Sequence, residues 1–176
     1  TTIEHIEFHG AWARDRNGAG IRQEGRNLTV RHSLFRDNQN GILTGNWADA
    51  ELTVQDSEFA AAPEGQRLPH LLYVGRIARF TIIGSHLHGG RQGHLLKSRA
   101  RHNQVLYNRL DDRPDGLASY ELEFPNGGLA WVVGNLVAQS SRTSNPTLLA
   151  FGAEGSPAGE ERAHGLFLAH NTFVNG

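Results

Sequence analysis

The octapeptide Leu28-Thr29-Val30-Arg31-His32-Ser33-Leu34-Phe35 recurs along the chain in altered form. Leu52-Thr53-Val54-Gln55-Asp56-Ser57-Glu58-Phe59 keeps its order, and so does Phe80-Thr81-Ile82-Ile83-Gly84-Ser85-His86-Leu87. Looser copies run through Val105–Leu110, Val132–Val137 and Leu168–Phe173. An aliphatic column can be drawn through Ile3, Val30, Val54, Ile82, Val105, Val132 and Leu168, with intervals of 23 to 36 residues. Three residues after each aliphatic position from Val30 onward comes Ser33, Ser57, Ser85, Asn108, Asn135 or Asn171, and two further on Phe35, Phe59, Leu87, Leu110, Val137 or Phe173. Apolar and polar residues alternating over so few positions mark half-buried strands.

Each repeat holds a second short apolar run: Gly20-Ile21-Arg22, Gly41-Ile42-Leu43, His70–Val74, His94–Ser98, Tyr120–Phe124 and Thr147–Phe151. Between the runs lie turn sequences such as Asp37-Asn38-Gln39-Asn40-Gly41, Gly89-Gly90 and Pro114-Asp115-Gly116. Short strands on a repeat of this length cannot bury an apolar face alone and must stack on the next repeat. The expected fold is all-β: a right-handed parallel β-helix of about seven coils, with Ser and Asn stacked at one corner. Residues 1–176 form one such domain. The chain enters a rung almost at once and stops where a further coil would begin, so it is expected to be the interior of a longer helix, lacking one or both end caps.

Composition narrows the function. Of 176 residues 21 are Gly, many of them expected at coil corners (Gly20, Gly41, Gly84, Gly116 and Gly134), and there is no Cys or Met. Without Cys there is no disulfide, thiolate metal site or thiol nucleophile. With 17 Lys+Arg against 18 Asp+Glu the net charge is -1, which does not suit a nucleic-acid partner, and no apolar run of membrane-spanning length exists.

If Leu72, Val74, Leu96, Leu122 and Phe124 face inward, alternation turns Tyr73, Lys97 and Glu123 outward as vertical neighbours, with Arg99 and Glu121 alongside. This strip spans roughly 10 Å, two inter-strand spacings, enough for one sugar ring. Lys97 is the only lysine of the chain. A lysine can be tuned to act as a base where arginine cannot, although a flanking Glu123 would favour its ammonium form. Tyr73 suits an acid or a stacking platform. Glu121 and Glu123 fall at a spacing that overlaps the carboxyl pair of inverting glycosidases. Arg76, His70, His94 and the loop residue Trp47 are substrate-binding candidates. No residue set has diagnostic metal-ligand spacing. The run Asp111-Asp112-Arg113-Pro114-Asp115-Gly116 offers carboxylates to calcium but carries a Pro-Asp-Gly turn at its centre. The insertion at 152–161 is expected to be a mobile loop over one edge of the coil.

The repeated motif with its Asn-rich turns resembles the pectate-lyase-like superfamily of right-handed parallel β-helices over nearly the whole chain. This resemblance implies an extended surface used on polysaccharides, in an extracellular or periplasmic setting. Around Lys97-Ser98, Asn103 and Tyr107-Asn108 the chain is similar to the alginate lyase and chondroitinase B family. That likeness implies Lys97 as the base taking the sugar C5 proton, with calcium neutralising the uronate carboxylate. The residues before Lys97 (Gly93-His94-Leu95-Leu96) carry no acidic calcium ligand, so Arg99 or Arg76 would take over that neutralisation. The expected function is therefore β-elimination on a uronate-containing glycan, with Tyr73 as the acid. The alternatives are an inverting hydrolase using Glu121 and Glu123, or a non-catalytic glycan-binding or structural segment of a longer surface protein.

Overall fold

The computed structural model describes residues 1–62, 69–143 and 145–176. The described residues contain strands and turns but no helix, so no helix is long and apolar enough to cross a membrane. Three parallel sheets of seven, seven and six strands run along the molecule, each strand pairing with its counterpart one repeat away. This is a parallel β-helix.

The first sheet begins with Thr2–Glu4 and Asn27–Arg31 and ends with Gly165–Ala169. Its register runs directly through the aliphatic column, Ile3 beside Val30, Val30 beside Val54, and so on through Val132 beside Leu168. The second sheet runs from Glu7–His9 to Thr172–Asn175 and stacks the column from Phe8 through Phe35, Phe59, Leu87, Leu110 and Val137 to Phe173. Phe35 and Phe59 lie parallel with ring centroids 4.6 Å apart. The inward residues of the middle coils are almost wholly removed from water, and they fuse into one core along the helix axis.

The corner between these two sheets repeats at the level of the backbone. His5, His32, Asp56, Gly84, Tyr107, Gly134 and His170 all have positive φ, between 45° and 72°. This left-handed residue turns the chain and aims the next one, Ser or Asn from Ser33 onward, into the coil. Ser33 N donates to Ser57 Oγ, Ser57 N to Ser85 Oγ, Ser85 N to Asn108 Oδ1, Asn108 N to Asn135 Oδ1 and Asn135 N to Asn171 Oδ1, at 2.8 to 3.2 Å. Each buried corner N–H is thereby satisfied by the following coil. Five of the seven corner residues are not glycine, so φ alone does not demand Gly134. There a Cβ would clash with the Tyr107 ring.

Two glycines expected at corners lie elsewhere. Gly20 and Gly41 are inside the third-sheet strands Ala19–Gln23 and Asn40–Thr44. A Cβ on Gly41 would come within 2.6 Å of the Phe59 ring, so its small size admits the phenylalanine stack of the second sheet.

The third sheet holds Ala19–Gln23, Asn40–Thr44, His70–Val74, His94–Ser98, Tyr120–Phe124 and Leu149–Phe151. Leu72, Val74, Leu96, Leu122 and Phe124 face the core, as the alternation requires, and none is measurably exposed. Leu71, Leu95 and Glu121, on the opposite side of their strands, are buried too. Gly90 and Ala118 close over Leu95, and Gln139 reaches Glu121. The outer face of this sheet is thus open only toward its C-terminal half, where Tyr73 and Lys97 stand.

Candidate functional site

Parallel pairing places Lys97 beside Tyr73 on one side and Glu123 on the other. Three residues earlier, at the start of the same strands, His70 stacks on His94 at 4.7 Å and His94 on Tyr120 at 5.0 Å. Three successive coils therefore bring one row of rings and one row of polar side chains to the same patch.

Lys97 Nζ lies 2.8 Å from Glu123 Oε2 and 3.7 Å from Glu154 Oε1. Glu123 Oε2 is also 3.2 Å from His94 Nε2. None of these contacts has hydrogen-bond direction at Glu123 Oε2, so the Lys97–Glu123 contact rests on charge. His70 accepts a hydrogen bond at Nδ1 from the His94 backbone N–H, 3.0 Å away. Burial, then the cations Lys97 and Arg99, lower His70 to about 3. Burial, then His70 and the same two cations, lower His94 to about 2. Both rings are neutral at pH 7.

Arg99, just past the end of its strand, gathers the remaining groups. Its Nε donates to Tyr73 OH at 2.9 Å, and one terminal nitrogen donates to Asn126 Oδ1 at 2.9 Å. Both terminal nitrogens grip the Glu154 carboxylate, at 2.6 and 2.9 Å. This two-pronged geometry is the strong form of a guanidinium–carboxylate pair. Glu154, and after it Tyr73, hold Arg99 above its ordinary value, while Arg99 holds Glu154 below the usual carboxylate range.

A cleft of about 440 Å³ opens over this patch, walled by Asn46, Tyr73, Arg76, Arg99, Asn126 and Glu154. Arg76 and Asn46 also border a smaller cleft of about 170 Å³, with Arg101, Glu160 and Arg162. The segment 152–162 forms the outer wall of both. It is tied down rather than free, with Glu154 on Arg99, Glu160 on both Arg101 and Arg162, and Asn126 Nδ2 donating to the Gly155 carbonyl. Among the described residues Arg76 has no carboxylate partner, leaving one open guanidinium between the clefts.

Of the residues singled out from sequence, Tyr73, Lys97, Arg99, Glu123, His70, His94 and Arg76 come together. Glu121 does not. It is wholly buried, bonded by Gln139 Nε2 at 3.0 Å, and burial pushes its carboxyl up to about 8. A Glu121–Glu123 pair cannot flank a sugar, and the inverting-hydrolase geometry is absent. Trp47 stands half-exposed beside Asn46, and Asn46 rather than Trp47 walls the cleft. The Asp111–Gly116 run is a turn whose first two carboxylates are spoken for. Asp111 binds Arg113 and Arg109, and Asp112 accepts the backbone N–H groups of Gly90 and Ala118.

Glu154, Asn126 and Asn46 were not singled out from sequence. Glu154 lies 55 residues beyond Arg99, in the one interval that breaks the repeat. The only signal there was the length of the insertion. Compared with known proteins, the chain matches no family model, no curated protein and no solved structure.

Proposed function

We propose that this β-helix acts on a uronate-bearing polysaccharide and cleaves it by β-elimination, in the manner of the pectate-lyase-like proteins that its repeat resembles. The observation that carries the reading is the Glu154 carboxylate gripped by Arg99 beside the Tyr73 hydroxyl and the Lys97 ammonium. A site that holds a carboxylate so closely is complementary to the carboxylate of a uronate. An incoming substrate would displace Glu154 and take its place on Arg99. Pairing the uronate carboxylate with a guanidinium acidifies the neighbouring C5 proton, because negative charge developing toward that carboxylate is stabilised.

The proton-transfer roles follow from the neighbours. Lys97 between Glu123 and Glu154 is an ammonium, which donates a proton and cannot accept one. It serves the departing glycosidic oxygen. Tyr73 receives a hydrogen bond from Arg99 at its oxygen, which stabilises the phenolate left once the hydroxyl proton has passed to solvent, so Tyr73 in its phenolate form is assigned the abstraction from C5. This reverses the expectation from sequence, where Lys97 was the base and Tyr73 the acid. His70, its ring 5.3 Å from Tyr73, packs the tyrosine, and Arg76 extends the positive wall toward the next saccharide. Polysaccharide is the partner, which fits an extracellular or periplasmic location.

The test is the ultraviolet absorbance of unsaturated product on a panel of uronate polymers. Wild type should generate product and Tyr73→Phe should not. Lys97→Ala should lose activity on the polymer and regain it on an aryl uronide whose leaving group needs no protonation. Absence of unsaturated product from wild type on every polymer overturns the assignment. A second reading, glycan binding without cleavage, is favoured by the enclosure of Lys97, whose side chain is only 12% exposed. It predicts calorimetric binding of uronate oligomers, lost in Arg99→Ala, without product.

A further inference from the structure

We propose that Glu58, His86 and His88 form a binding site for a divalent zinc-class cation on the outer face of the second sheet, separate from the cleft over the third. The sequence His86-Leu87-His88 alternates across the strand. Leu87 is wholly in the core, which sends both imidazoles outward. Glu58 occupies the matching place on the preceding coil, in register with His86.

One donor atom from each of the three residues lies within 4.8 Å of the other two. The His86 and His88 rings are 4.3 Å apart at 26°, and His88 Nε2 touches Glu58 Oε1 at 2.9 Å. Zinc bonds of roughly 2.0–2.2 Å to nitrogen and oxygen separate tetrahedral donors by roughly 3.3 Å. Side-chain rotation of these partly exposed groups covers the difference.

Charge and donor type agree with this ligand. Two imidazoles with one carboxylate favour zinc and its d-block neighbours over calcium or magnesium, which take oxygen. Arg109 lies in register with His86 on the following coil, but Asp111 takes its charge through bonds of 2.9 and 3.2 Å. Glu58 and His86 also line an open trough of about 680 Å³ that includes His5, His32 and Asp56. With three protein ligands, the cation keeps a coordination position facing that trough, the arrangement that leaves a metal free to take water or an anionic ligand.

Tag-free chain, stripped with a chelator and dialysed, is titrated with zinc chloride by calorimetry at neutral pH. The expected result is one zinc per chain, weakened about 100-fold or more in His88→Ala and in Glu58→Gln, since loss of an outer-shell partner alone costs about 10- to 100-fold. All three ligands are at the surface, so the metal-free variants should melt with wild type. Cobalt should give the visible absorption of a tetrahedral nitrogen–oxygen site in wild type and not in His86→Ala. His70→Ala, which alters the histidine pair of the third sheet, should leave zinc binding unchanged. The proposal is overturned if wild type takes up no zinc, if the His88 and Glu58 variants bind as tightly as wild type, or if His70→Ala is the variant that abolishes binding.

Discussion

Asn108 makes three hydrogen bonds from one buried amide. Its Oδ1 accepts the Ser85 backbone N–H, and its Nδ2 donates to the Ile82 carbonyl and to Asn135 Oδ1. Replacing it with Ala strands two buried backbone groups on the preceding coil, at about 1–3 kcal/mol for an unsatisfied group. Asn108→Ala is expected to destabilise by that amount or somewhat more in denaturant unfolding. Asn108→Ser, which restores one acceptor as Ser57 and Ser85 do, should recover part of the loss. A ladder without energetic weight would leave Asn108→Ala within error of wild type. This column was readable in advance because the Ser and Asn residues recur at a fixed distance from a Val or Ile, and identical environments on successive coils reward identical chemistry.

The third-sheet strands were readable to a lesser depth. Alternation correctly turned Leu72, Val74 and Leu96 inward and set Tyr73, Lys97 and Glu123 in register, because period-2 geometry is local. It also turned Glu121 outward, yet Glu121 is sealed by Gln139, which belongs to a strand of another sheet. Local pattern cannot see such coverage. The same limit hid Glu154, whose partner Arg99 is reached only through an insertion that belongs to no repeat. That insertion supports a prediction of its own. With Glu154→Ala the Arg99 guanidinium loses its internal carboxylate, so uronate oligomers should bind about tenfold more tightly, a change of 1.4 kcal/mol. Arg99→Ala should abolish binding. Weaker calorimetric binding in Glu154→Ala would mean that the carboxylate builds the site rather than fills it.

Along the whole helix, buried ionisable groups set a pH profile. His70 and His94 have folded values far below their unfolded ones, so the folded state binds fewer protons and stability is lost as pH falls below about 6.5. Glu121 is displaced the opposite way, to about 8. Its contribution is fully present below about 4.5 and is lost as pH rises toward 8, at roughly 1.4 kcal/mol per pH unit. The two histidines outweigh Glu121 below 6.5, and of these three groups Glu121 is the one that titrates above it. Thermal unfolding should therefore show greatest stability near pH 6.5, and Glu121→Gln should flatten the alkaline limb while leaving the acid limb in place. An alkaline limb unchanged in that variant would assign it to other groups.

The corner ladder has a direction, since each coil's N–H leans on an amide or hydroxyl of the coil that follows. Under tension this gives the molecule a grain. A chain pulled along its axis from the C-terminal end loses the acceptor before the donor, and so should unravel coil by coil. Repeats of 23 to 36 residues would each pay out roughly 8 to 12 nm of extended chain. In single-molecule stretching the protein would behave as a ratchet of near-equal steps, its last and longest interval releasing the most length.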